Sequence, residues 1–204
     1  MEANEKILQI SLQMFFRYGI KHVTMDDIAK ELGMSKKTIY QYFKEKDDLV
    51  NQLCLCEVKK HASDFDQLGK SAKDPIHEII LLSDKMREMM QNINPLFFLD
   101  LQKFYPMAYQ EFQKFKESCA FKNIVDNINK GIRLGVYRSD LDVEFSAKYR
   151  LSQIDMLMFG NYFTYENISL AQASQNMLEM FVYGITTQKG HKLLDQYKKI
   201  NEKK

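Results

Sequence analysis

Tryptophan is absent from this 204-residue chain, and proline, glycine and cysteine are scarce at three, eight and three residues. So few turn-forming residues leave little punctuation, which predicts long helices. An odd number of cysteines is a poor disulfide framework and points to a reducing compartment. Cys54 and Cys56 are two apart, which on a helix turns them about 200° from each other. They are therefore expected as small buried thiols, with no metal between them. His22, His61, His77 and His191 are never four apart, the spacing a helical metal site uses, so neither a metal nor another cofactor is expected. No run reaches the roughly 18 apolar residues of a membrane span. The opening MEANEKILQI has neither the basic nor the apolar region of a secretory signal, and a cytoplasmic location away from membranes is expected. The formal net charge of +2 is too small to announce a polyanionic partner on its own.

What is present is a core-forming composition: 45% hydrophobic residues, with twelve Met, fourteen Phe and eleven Tyr. One or two domains with a buried interior are expected. Charge is uneven. Residues 1–50 hold eight Lys and Arg against eight Asp and Glu, yet in GMSKKTIYQYFKEK (33–46) four lysines face only Glu45. An anion-binding surface, if the chain has one, is concentrated there.

The residues before that stretch prepare it. Ile7, Leu8, Leu12, Phe15 and Phe16 recur at helical spacing and stop at Gly19. Thr24 then caps a second helix, with Asp27 in a capping-box position and Ile28, Ala29 and Leu32 on one face. Gly33 ends it, and Ser35 caps a third helix from Lys36 to about Phe43. Ile39 and Phe43 share an inward face, while Lys36, Lys37 and Tyr40 fall on another. Two short capped helices around a glycine turn make a helix-turn-helix, and eight residues give roughly 12 Å, a length suited to a major groove about 12 Å wide. The amides at the start of that helix and the neighbouring lysines suit phosphates.

FFRYGIKHVTMDDIAKELGMSKKTIYQYFKEKDDL resembles the N-terminal domain of the TetR (tetracycline-repressor) family of bacterial transcription regulators. The shared positions are Phe16, Gly19, Thr24, Ile28, Ala29, Gly33, Ser35, Thr38, Tyr40, Phe43, Lys46 and Leu49. Three positions depart from it: Lys37 stands where the family most often has Gly, Tyr42 where it has His, and Glu45 where it has Ser. With the helix-turn-helix reading, the resemblance implies DNA contacts from Thr24, Ser35, Lys36, Lys37, Thr38, Tyr40, Gln41, Tyr42 and Lys46.

The rest of the chain reads as further helices. They begin near Lys46, Pro75, Pro95 and Pro106, the last running to about Gly135, with two more near 143–164 and 170–189. The expected fold is all-α, with a DNA-binding domain over 1–48 and a helical ligand-binding and dimerisation domain over 49–204. The resemblance implies that the last two helices pair with their copies in a homodimer, and Gly160, Phe163, Met177, Phe181 and Gly184 are the candidates for that interface. A Met and aromatic stripe, comprising Met86, Met90, Phe97, Phe98, Leu101, Phe104, Tyr105, Tyr109, Met156 and Phe159, is the candidate lining for a small apolar or aromatic effector. Asp100 and Asp155 are the carboxylates embedded in apolar runs, which favours a neutral to cationic compound.

The reading is of a non-enzymatic regulator, a repressor released by that effector from a roughly palindromic double-stranded operator. Its alternatives are an effector-independent activator or architectural protein, and a helical enzyme or carrier that retains a DNA-binding-like domain. No nucleophile with an adjacent base and no phosphate-cradling glycine loop supports the last.

Overall fold

A computed structural model describes residues 2–91, 93–160 and 169–201. All regular elements among them are helices, and the one extended pairing is an isolated antiparallel bridge between Tyr137 and Thr186. The chain divides into two compact units, Met1–Lys60 with Asn92–Phe115, and His61–Gln91 with Lys116–Lys204.

The first unit opens with α1 (Ala3–Tyr18), which buries Ile7, Ser11 and Phe15 at a spacing of four. α2 (Met25–Leu32) and α3 (Lys36–Tyr42) follow. At eight and seven residues these two are too short to persist in isolation. They are held by a shared core in which Ile7, Phe15, Ile20, Ile28, Ile39, Phe43 and Leu49 are fully buried, each such side chain contributing about 1.5–3 kcal/mol. α4 (Lys46–Ser71) begins here with Asp47 and Asp48 in its first turn, where the helix dipole favours them. α6 (Leu96–Phe104) and α7 (Pro106–Phe115) belong to the same unit. α6 lies against α1: the Phe97 ring meets Phe16 edge-on at 4.8 Å between centroids, and the Asn94 amide just before it donates to the Phe16 carbonyl at 2.6 Å.

The second unit contains α5 (Pro75–Met90), α8 (Phe121–Arg133), α9 (Val143–Phe159), α10 (Leu170–Ile185) and α11 (Gln188–Asn201). Its core gathers Ile76, Ile128, Val136, Tyr137, Phe181, Val182, Ile185 and Leu194. Tyr137 is the anchor. Its buried hydroxyl donates to Asn127 Oδ1 at 3.0 Å, and Asn127 Nδ2 donates onward to the Pro75 carbonyl at 3.0 Å, tying α8 to α5. The Tyr137 ring lies on Gly131, where a Cβ would stand 1.9 Å from it, so only glycine fits.

Four features depart from the sequence reading. The run from Pro106 to about Gly135 is interrupted by one π-helical turn, Lys116–Ala120. The helix expected over 170–189 stops at Ile185, because Thr186 is extended, and Thr187 starts α11: its carbonyl accepts from His191 N at 2.8 Å and its hydroxyl from Gly190 N at 3.2 Å. α9 ends at Phe159, and residues 161–164 of the expected 143–164 helix lie outside the described residues. The cysteines are also not uniformly buried: Cys54 is, donating to the Ala108 carbonyl, but Cys56 is exposed and Cys119 partly so. The spacing of two that separates Cys54 from Cys56 sends them to opposite sides of α4.

Candidate nucleic-acid interface

The α2–α3 pair is set by its caps. Thr24 Oγ1 accepts from Asp27 N at 3.2 Å, and Asp27 Oδ2 accepts from both Thr24 N at 2.9 Å and the Thr24 hydroxyl at 2.6 Å. Those hydrogen bonds hold the Asp27 carboxyl below its usual range. Gly33 stops α2 in the left-handed region at φ 63°, a conformation that costs glycine little. Ser35 Oγ then accepts from Thr38 N at 3.1 Å and shares a 2.8 Å hydrogen bond with the Thr38 hydroxyl. α3 therefore leaves the turn at a fixed angle, with Ile39 and Phe43 buried beneath it.

The opposite face of α3 is open. Ser35, Lys36, Lys37, Tyr40, Gln41 and Tyr42 are exposed, and Thr38 is partly so. A spacing of four places Lys36 over Tyr40 and Lys37 over Gln41. The Lys36 ammonium is 5.9 Å from the Tyr40 ring centroid. Six polar or cationic side chains thus project from one short helix and its cap. Thr24 is exposed at the start of α2, where it caps the helix.

Two cations differ from expectation in what they touch. Lys36 Nζ is paired with Asp26 Oδ1 at 2.7 Å, a partner the sequence reading did not consider. Lys46, expected among the DNA contacts, turns inward and donates to the Ile20 carbonyl at 2.6 Å, with burial lowering its pKa. On the other side of the same turn, Asp100 Oδ2 accepts from Lys21 N at 2.7 Å. The α1–α2 turn is thereby gripped by α4 and α6.

Residues 7–53, the segment that builds this surface, match the family description "Bacterial regulatory proteins, tetR family". The chain is 22% identical over 191 residues to the HTH-type transcriptional repressor KstR2 of Mycolicibacterium smegmatis, covering 92% of this chain and 93% of the relative. Residues 7–53 are thus a TetR-family DNA-binding domain. The chain's fold is shared by a TetR-family regulator from Agrobacterium tumefaciens, with a TM-score of 0.74 and 16% identity over 90% of this chain and 97% of that one. It is shared also by FadR of Bacillus subtilis, solved in complex with stearoyl-CoA, with a TM-score of 0.68 and 20% identity over 89% and 98%. The chain thus carries a TetR-type DNA-binding domain whose α3 stands where the helix-turn-helix presents its recognition helix.

The candidate effector residues are divided between the units. Phe97, Phe98, Leu101 and Tyr105 are buried in the first, where Tyr109 accepts from Gln102 Nε2 at 3.2 Å. Phe104 is 40% exposed, with the Lys21 and Lys103 ammoniums over its ring at 4.9 and 5.3 Å. In the second unit Met90 is buried, Met86 and Phe159 are partly so, and Met156 is 41% exposed. The charge expectation is corrected. Asp100 is committed to the Lys21 amide, and Asp155 is bridged by Lys116 Nζ at 2.6 and 2.8 Å, so neither carboxylate is left to favour a cation.

Of the dimer candidates, Phe181 is buried in its own core, Gly160 ends α9, Met177 is partly buried and Gly184 is exposed with open space above it. Phe163 lies outside the described residues. The sequence reading missed three exposed apolar residues on α9 and α10. Phe145 and Tyr149 on α9 are 66% and 51% exposed with their rings stacked, and Met180 on α10 is 75% exposed. For Phe145 and Tyr149 the signal was a large apolar residue four positions along a helix from another, on the side away from the buried stripe. Among the described residues no helix is long and apolar enough to cross a membrane, and no group of three or more His, Cys, Asp or Glu side chains is placed to hold a metal.

Proposed function

We propose that the protein is a homodimeric repressor that acts by binding and not by catalysis. It reads a roughly palindromic operator through residues 1–48 and is released by a small effector bound within residues 49–204. The observation that carries the reading is the exposed α3 face, with Lys36, Lys37, Tyr40, Gln41 and Tyr42 projecting from a helix locked by the Thr24 and Ser35 caps. Lys37 sits at the start of the recognition helix, within reach of base edges as well as phosphates. Tyr40 serves as a phosphate donor.

The dimer face proposed is the exposed apolar side of α9 and α10, formed by Phe145, Tyr149, Met177, Met180 and Gly184, with Gly160 at its edge. A self-complementary pairing of two such faces gives a two-fold dimer, and a two-fold dimer calls for a palindrome. That the KstR2 relative is named a repressor and that FadR was solved with stearoyl-CoA support the repressor and effector parts of the reading.

The experiment is a gel-shift titration of duplexes from the chain's own upstream region, with wild type and Lys37→Gly. Wild type should bind with strong salt dependence. Lys37→Gly should change base preference and flatten the slope of log K against log salt by about 0.9. An unchanged slope and preference would remove α3 from the interface.

A further inference from the structure

α9 carries a charge in the middle of its buried stripe. Its buried positions are Ser146, Ala147, Leu151, Gln153, Leu157 and Met158. At about 100° per residue, Arg150 falls inside that arc, between Leu157 and Ile154. Its guanidinium stands 5.9 Å from the centroid of the buried Phe181 ring and donates from Nη1 to Gln153 Oε1 at 3.1 Å. Gln153 is itself only 7% exposed.

Arginine has five N–H donors, and among the described residues no carboxylate pairs with this one. Burial pushes its pKa down to about 10, which leaves it a cation at neutral pH. Arg150 as a residue is half-buried, and a cation set against an aromatic ring without a counter-charge is costly. The contrast within the same unit is direct: Lys116, 11% exposed, has its carboxylate in Asp155.

We propose that Arg150, oriented by Gln153, binds the head of an anionic amphiphile, an organic carboxylate with an apolar body that packs on the Phe181 side of α9. The planar guanidinium fork matches a carboxylate with two parallel hydrogen bonds, and low-dielectric surroundings strengthen the pair. The proposal rests on the effector-responsive reading above and names the chemical class of the effector.

Direct binding keeps the two separable. Decanoate, 1-decanol and decyltrimethylammonium are titrated calorimetrically into the full-length protein without DNA, alongside thermal melts. Decanoate should bind and raise the melting temperature, and the alcohol and the cation should bind at least about tenfold more weakly. Arg150→Gln should lose that preference and, by removing an unpaired charge, melt no lower than wild type without ligand. Arg150→Lys should keep part of the preference.

Equal binding of the three probes, or unchanged decanoate binding by Arg150→Gln, would overturn the proposal. So would a fall in dimerisation of Arg150→Gln by sedimentation, which would place Arg150 at a second copy instead. Decanoate binding that leaves DNA affinity unchanged would sustain the site and count against effector release alone.

Discussion

Lys36 and Lys46 are both lysines of the basic stretch, yet their surroundings give them different work. Lys36 is exposed and paired with Asp26 across 2.7 Å, and solvent screens an exposed pair so strongly that DNA can take the lysine from it. Asp26→Asn should free Lys36, remove a negative charge from the interface and tighten binding about twofold to fivefold, read in a gel-shift titration. Looser binding would mean that Asp26 itself contacts DNA. Lys46 is committed to the Ile20 carbonyl. Lys46→Met should lower stability by about 1 kcal/mol in urea unfolding and leave the salt slope of DNA binding unchanged. Residue types and spacing made the α3 face legible in sequence, because caps and the 3.6-residue period act locally. What Lys46 and Asp100 touch was not legible, since both reach a turn distant in the chain.

The caps also give the helix-turn-helix a pH dependence. Asp27 has its folded pKa depressed by Thr24. Its contribution is therefore complete above the ordinary carboxylate pKa of about 4 and is lost as pH falls through the depressed value. Thr24→Val removes the hydroxyl and should reduce the acid-side loss of stability between about pH 5 and pH 2, measured by urea unfolding. A profile parallel to wild type would show that the cap is not the titrating element.

At the scale of elements, sequence punctuation worked where glycine or proline coincided with a helix end and misled where glycine lies inside one. Gly190 reads as a stop, yet it belongs to α11, where a Cβ would stand 2.2 Å from the Val136 carbonyl. Close packing, invisible to a periodic pattern, calls for glycine there, and the expected 170–189 helix ends at Ile185, where Thr186 turns extended. The same logic applies to Gly131 under Tyr137. Gly131→Ala should cost about 3 kcal/mol by overpacking, and Tyr137→Ala about the same or more by cavity formation. Because the two share one contact, the double variant should lose less than the sum. Strict additivity in chemical denaturation would contradict the packing described. The half-buried arginine of α9 was readable as a charge within an apolar stripe, but the sequence reading rested its charge expectation on Asp100 and Asp155.

For the whole molecule, the proposed dimer and the operator are one claim. Met180→Glu, on the exposed face of α10, should yield monomers in sedimentation and abolish specific binding while leaving the melting temperature of the protomer core nearly unchanged. Loss of the fold instead would show that Met180 serves packing within the chain.

The most direct test of the account is selection of bound duplexes from a random-sequence pool by the wild-type protein, followed by sequencing. The α3 surface and the proposed two-fold pairing predict inverted repeats whose half-sites are centred about one helical turn apart, roughly 10 base pairs. Lys37→Gly should shift the preferred bases within each half-site. Recovery of a lone half-site, of direct repeats, or of no enriched sequence would contradict the account.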